Sequence, residues 1–341
     1  VHRPRPCAHL DGRPGGRPRR VRSLARLPKH QHPNPAPAAA RAVSIAPRDS
    51  RSTSPRTPRL RPQAPPPATL DAMSETNHFS LARRTALVGG ATQGIGKAIA
   101  LELARLGASV VAMGRNPDGL AKTLGALEAL PRSDSQRHAS LEVDLDDWRS
   151  LGGKVHAFLA SRGPVEILVH NGGGPAAGPA IEASPDHFAR AFEHHLLCGQ
   201  ILVQALAPGM RERRYGRVVN VISTSVVTPI RGLGVSNTIR GAVANWARTL
   251  AVELAPFGIT VNSILPGFTR TARLEALFKG RASRGGSSVA EVEEDALRGV
   301  PMRRFAEPEE IARVAAFLAS PAASYLTGVN LPVDGGRLAL G

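Results

Sequence analysis

One turn limits what this chain can fold into more than any other segment: Gly90-Ala91-Thr92-Gln93-Gly94-Ile95-Gly96, set between the apolar run Thr85-Ala86-Leu87-Val88 and the helical pattern Lys97-Ala98-Ile99-Ala100-Leu101-Glu102-Leu103-Ala104. A strand that turns through glycines into a helix offers backbone N–H groups and the positive end of the helix dipole to an anion, which suits a pyrophosphate. The spacing is G-x-x-x-G-x-G rather than the G-x-G-x-x-G of the standard dinucleotide fingerprint. Taken alone, it is equally a tight turn whose glycines let a helix pack on a sheet.

The residues that follow favour the first reading. A second apolar strand, Ser109-Val110-Val111-Ala112-Met113, ends at Gly114-Arg115-Asn116, where an adenosine ribose is expected. No carboxylate stands there to bind a ribose 2'-hydroxyl. Arg115 is suited instead to a 2'-phosphate, so NADP(H) is the expected cofactor, with NAD(H) as the alternative; a surface arginine after a strand is the plain reading of the same residue.

From residue 83 onward, short apolar runs alternate with helical patterns. Strands are predicted at 85–89, 109–113, 139–143, 166–169, 216–222, 259–264 and 329–333, and helices at 95–106, 117–130, 147–161, 185–212, 235–255 and 307–319. Strands that are apolar throughout and separated by helices indicate a mostly parallel seven-stranded sheet covered on both faces, a single doubly wound α/β domain of the Rossmann type. Ligands of such folds bind beyond the C-terminal strand ends. Asp144 follows the third strand and either accepts from an adenine amino group or serves a helix N-terminus. Asn171-Gly172-Gly173-Gly174 follows the fourth, where glycines permit close approach of a nicotinamide ribose. Ser223 follows the fifth. Pro266-Gly267-Phe268-Thr269-Arg270-Thr271 follows the sixth, its backbone and Thr271 suited to the carboxamide.

Composition divides the chain at about residue 72. Residues 1–72 hold 15 of the 29 prolines, and 15 Lys+Arg against 3 Asp+Glu. That segment carries +12 of the +17 net charge, and 29 basic against 24 acidic residues leave +5 for 73–341, so the high pI says little about the partners of the remainder. An Arg/Pro/Ala/Ser mixture without apolar periodicity cannot offset its chain entropy, and disorder is expected. A nucleic-acid-binding arm, a transit peptide and a translated upstream region compete as readings. Frequent prolines disfavour an amphipathic transit helix, and no aromatics interleave with the arginines for base stacking. The expectation is therefore an extension outside the working protein, with Met73-Ser74-Glu75-Thr76 as a natural start and 73–341 as the functional domain. No apolar run approaches the roughly 20 residues of a bilayer span. Cys7 and Cys198 alone provide neither a disulfide framework nor a metal set, so no metal is expected and a reducing cytoplasm suits the chain. Partners are expected to be small molecules rather than nucleic acid or membrane.

The motifs together resemble the short-chain dehydrogenase/reductase family over residues 80–338. Besides the glycine turn, the resemblance rests on Val218-Val219-Asn220-Val221-Ile222-Ser223, on Thr260-Val261-Asn262-Ser263-Ile264-Leu265-Pro266-Gly267, and on Leu326-Thr327-Gly328 with Val333-Asp334-Gly335-Gly336. Among its subgroups the chain most resembles the 3-oxoacyl-carrier-protein reductases. The resemblance implies an NADP(H)-dependent oxidoreductase acting on a carbonyl or alcohol, a homo-oligomer built through the helices at 185–212 and 235–255 with Ala242, Ala244, Trp246 and Leu250 at the contact, and a substrate lid at the Gly- and Ser-rich loop Lys279 to Val289. It also implies cofactor contacts from Gly90, Thr92, Gln93, Gly94, Ile95, Gly96, Arg115, Asp144, Asn171, Gly172, Gly173, Arg240, Pro266, Gly267 and Thr271.

In that family a Ser is followed thirteen residues later by a Tyr that moves the proton, and four residues beyond by a Lys. Counting from Ser223 lands on Ser236 and Arg240, so both are replaced. The segment Ser236-Asn237-Thr238-Ile239-Arg240 resembles a divergent branch in which Ser-Asn-x-x-Arg fills the Tyr-x-x-x-Lys slot and Asn-x-Gly-Gly-Pro follows the fourth strand, as in Asn171 to Pro175. A Ser hydroxyl is a poor general acid, and Arg keeps its charge and donor fork but does not shuttle protons. His195 stands where the family has a structural Asn, and His170 where the first Asn of Asn-Asn-Ala-Gly is expected. With an intrinsic pKa near 6.5, His195 either relays a proton to Ser223 or simply fills the space of the missing Asn. The expected catalytic set is Ser223, Ser236, Arg240 and His195; the rival expectation is a cofactor-binding protein without turnover, a sensor or partner subunit.

Overall fold

The computed structural model describes residues 77–340, and the expectations for residues 1–72 lie outside them. Seven strands form one wholly parallel sheet in the order β3-β2-β1-β4-β5-β6-β7. They are β1 (Thr85–Gly89), β2 (Ser109–Gly114), β3 (Ala139–Glu142), β4 (Ile167–His170), β5 (Gly216–Val221), β6 (Ile259–Pro266) and β7 (Asn330–Val333). The helices are α1 (Gly94–Arg105), α2 (Pro117–Glu128), α3 (Trp148–Arg162), α4 (Pro185–Phe192), α5 (Cys198–Glu212), α6 (Gly234–Leu254), α7 (Ala272–Gly285), α8 (Val289–Arg298) and α9 (Pro308–Ala319).

The two-residue period of β1 explains the layers. Ala86 and Val88 join Ile99, Leu103, Leu120 and Ile311 in the core beneath α1, α2 and α9. Leu87, pointing the other way, packs with Leu151, Leu202, Leu206 and Leu254 beneath α3, α5 and α6. Strands buried on both faces are what uninterrupted Val/Ile/Leu runs produce in parallel sheets. The strand order reverses between β1 and β4, which pair with each other through Ala86–Ile167 to Val88–Val169. A crevice therefore opens beyond their C-terminal ends.

Two sequence expectations are corrected here. The helix expected over 185–212 is α4 and α5 joined by a π-helical turn, Glu193–Leu197, that contains His195. The Lys279–Val289 loop is largely helical: α7 continues to Gly285, and only Gly286 to Ser288 link it to α8. Leu274 and Phe278, one turn apart, pack with Ala296 and Phe305, which holds this helical pair together despite its glycines. The Ser288–Glu291 capping box was a legible start signal for α8. The contact residues proposed on α6 are also revised. Ala244 and Leu250 are buried in the chain's own core, while Asn245, Arg248, Thr249 and Val252 face solvent. No helix among the described residues is long and apolar enough to cross a membrane.

Candidate active site

The turn after β1 is shaped by backbone crowding. Gly90 and Gly94 adopt φ of 58° and 54°, and a Cβ on Gly96 would lie 2.2 Å from the Gly90 carbonyl oxygen and 2.7 Å from Asn171 Nδ2. Glycine is required there because the backbone doubles back on itself. Asn171 Nδ2 donates to the Gly89 carbonyl at 3.1 Å, fixing the ends of β1 and β4 together. Gln93, the N-cap of α1, makes no side-chain cap, and the first turn carries no acid. The leading amides of α1 thus lack the acceptor that most helices provide from their own chain, the arrangement a phosphate completes. Thr92 packs its methyl group over Gly114 and Gly119, and Ile95 anchors the turn in the core.

Past β2, Arg115 is exposed and sits 3.7 Å from Asp146 Oδ2. The other oxygen of Asp146 lies 2.7 Å from His194 Nε2. Asp144 accepts from the Asp146 amide at 3.0 Å through Oδ1, so one oxygen caps the short turn before α3, and the residue also lines the cleft.

At the opposite end, Ser223 Oγ accepts from the Ser225 amide at 3.1 Å, which leaves its hydroxyl proton free to donate. Ser236 and Arg240 lie one turn apart on α6, both buried, and both line the same cleft. Arg240 donates to the carbonyls of Val221 at 2.9 Å and Gly172 at 3.5 Å. Burial, with Arg273 nearby as the second cause, pushes its guanidinium down to about 10. Thr271 caps α7 through Oγ1, its methyl group 3.2 Å from where a Gly94 Cβ would sit. Gly267 approaches Asp334 so closely that a Cβ would lie 2.7 Å from its Cα.

These elements enclose one cleft of about 980 Å³. It is lined by every residue expected from the sequence at the cofactor and catalytic positions except His195. His195 lies behind Gly172, its ring 3.6 Å from a Cβ built there, and lines a neighbouring hollow of about 500 Å³. Burial first, then the charge of Arg240, holds it well below the usual histidine range, and no hydrogen bond joins it to Ser223 or Ser236 among the described residues. The Ser–His relay is therefore replaced by a neutral, space-filling histidine. The π-helical turn also leaves the His195 carbonyl to be met by His170 Nε2 at 2.7 Å. A carbonyl only accepts, so His170 carries its proton on Nε2. Burial pushes His170 down to about 4, and its ring meets Trp246 edge-on.

Neither tyrosine serves the cleft. Tyr215 donates to the Ala319 carbonyl at 2.7 Å with Arg84 and Arg217 over its ring, and Tyr325 is fully exposed. Sequence reasoning missed Arg273 and Arg337, which also line the cleft. Arg273 was within reach, two residues past the expected carboxamide contact Thr271; Arg337 arrives only through the packing of the chain's end.

Residues 90–337 match a family model described as enoyl-(acyl carrier protein) reductase. The chain is 29% identical over 263 residues to the NADPH-dependent reductase BacG of Bacillus subtilis, covering 76% of this chain and 99% of that one. It is 33% identical over 261 residues to the 3-oxoacyl-[acyl-carrier-protein] reductase FabG of Pseudomonas aeruginosa, covering 76% and 98%. The L-sorbose reductase of Gluconobacter frateurii, solved with NADPH and L-sorbose, superposes with a TM-score of 0.71 at 29% identity, covering 76% and 98%.

Proposed function

This chain belongs to the short-chain dehydrogenase/reductase family of oxidoreductases, and from that premise we propose that it is an NADP(H)-dependent enzyme acting on a carbonyl or alcohol, of the 3-oxoacyl type or close to it. The observation that carries the reading is the single cleft, which joins an uncapped α1 N-terminus and Arg115 at one end to Ser223, Ser236 and Arg240 at the other. The α1 amides and Gly90 to Gly96 receive the pyrophosphate, Arg115 the 2'-phosphate, and Asn171, Gly172, Gly173, Arg240, Pro266, Gly267 and Thr271 the nicotinamide riboside. NADP(H), when bound, supplies or accepts the hydride.

Ser223 donates its hydroxyl proton in a hydrogen bond to the substrate oxygen and so orients it. Arg240 places a permanent positive charge in a desolvated site, where it stabilises negative charge developing on that oxygen. Ser236, on the same face of α6, adds a second polar contact. None of these groups is a good proton donor at neutral pH, so the proton comes from water. The proposed assembly is a homo-oligomer, most simply a tetramer, in which α6 presents Val252 and its exposed neighbours to a second copy.

The lack of Tyr and Lys in the cleft favours a second reading, a cofactor binder without turnover. NADPH consumption with a panel of short-chain 3-oxoacyl ketones and aldehydes, beside calorimetric titration of NADPH, separates the two. Turnover with tight binding supports the enzyme; tight binding without turnover supports the sensor or partner subunit; absent binding overturns both.

A further inference from the structure

The charges that line the cleft are not all neutralised. Arg115 has Asp146, Arg270 has Glu307 at 3.2 Å, and Arg337 lies over the Phe268 ring with Asp334 beside it. Arg240 and Arg273 have no acid within ion-pairing distance among the described residues. Instead they hold one loop from two sides. Arg240 donates to the Gly172 carbonyl, and Arg273 donates through Nη2 to the Pro175 carbonyl at 2.6 Å. Between those carbonyls Gly174 leaves room for the second guanidinium, since a Cβ there would lie 2.7 Å from Arg273 Nη2.

Two like charges drawn to one short loop repel each other, and the inner one is buried. Such an arrangement is costly unless an anion joins it. Arg240 uses two of its five donors on carbonyls, and Arg273 uses one. Planar donor forks with spare N–H groups are the side chains that match a carboxylate. Arg273 is exposed and Arg240 buried, and both line one cleft with Ser223, so a molecule in that cleft is offered both donor forks and the hydroxyl.

We infer that the substrate carries its own carboxylate, which Arg273 receives at the rim of the cleft while Arg240 and Ser223 address the carbonyl or hydroxyl under reaction. This rests on the proposed function for the identity of the reacting end and narrows its substrate class from 3-oxoacyl esters to oxo or hydroxy acids with a free carboxylate. Arg273 is then a substrate-binding residue that discriminates a keto acid from its neutral ester.

The test compares acetoacetate with ethyl acetoacetate by calorimetric titration into the full chain, with and without saturating NADP+. The expected result is that the acid binds at least about tenfold more tightly than the ester, the difference made by one charge-assisted hydrogen-bonding contact. Arg273→Gln removes the preference for the acid, and Arg273→Lys restores part of it. Arg273 is exposed, so these variants keep the fold, which an unchanged melting temperature verifies. Equal affinity for acid and ester, or a preference that survives Arg273→Gln, overturns the inference. Failure of NADP+ to bind would sink the cofactor reading instead, and the titration without NADP+ still decides between acid and ester.

Discussion

Arg240→Met separates a functional arginine from a structural one, because the two predict opposite changes in stability. In the cofactor-free protein the guanidinium is buried without an acid among the described residues, and its depression to about 10 corresponds to a penalty of order 3 kcal/mol, from burial first and the charge of Arg273 second. At neutral pH the group is charged in the folded and unfolded states alike, so the penalty is present in full; it fades only as pH rises through the folded value. Methionine of similar reach removes the penalty but also the hydrogen bonds to Val221 and Gly172, one of them long at 3.5 Å, which together contribute about 1–2 kcal/mol. The net is a gain of about 1–2 kcal/mol, seen as a melting temperature raised by roughly 2–6 °C. Binding moves the other way. Loss of a charge-assisted donor fork weakens NADPH by about 10- to 100-fold and removes any turnover. Scanning fluorimetry with and without NADPH reads both effects on one sample. A cofactor-free melting temperature that falls by several degrees, with NADPH stabilisation intact, would show that Arg240 is a satisfied structural group and refute the reasoning.

Arg115→Asp should narrow or reverse a preference for NADPH over NADH, measured as the ratio of dissociation constants, and Asp146→Asn should sharpen it by freeing Arg115 from its 3.7 Å partner; equal affinity of the parent for both cofactors contradicts the assignment. His170 is neutral when folded, with its value lowered to about 4, so the unfolded chain binds the extra proton first and stability falls as pH drops from 6.5 toward 4. His170→Gln keeps a donor to the His195 carbonyl and should remove up to roughly 3 kcal/mol of that pH dependence in denaturant titrations, whereas an unchanged slope would show that His170 does not carry it. Ser236→Ala should lower kcat less than about tenfold, since a serine hydroxyl is a weak proton donor; loss of all ketone reduction would make Ser236 the central residue instead.

The linear order of residues settled the sheet and most of the cleft. Apolar runs of four to eight residues separated by helical periods leave a parallel sheet little alternative, and a strand end is a place that sequence can locate to within two residues. That is why Gly90, Asn171, Ser223, Pro266 and Thr271, each just past a strand, line one cleft despite lying up to 181 positions apart. The helices α7 and α8 were less legible because their glycines and charges mask a short apolar stripe that counts only once Phe305 packs against it. Charge balance was invisible for a different reason. Counting residues cannot say that Asp146 answers Arg115 and Glu307 answers Arg270 while Arg240 and Arg273 are left without an acid. Nor could the spacing decide the state of His195, which depends on burial and on an Arg240 that lies 45 positions away in the chain but close in space. Periodicity is local and survives in the sequence; desolvation and ion pairing depend on which distant groups the fold brings within a few ångströms, and those only the tertiary structure decides.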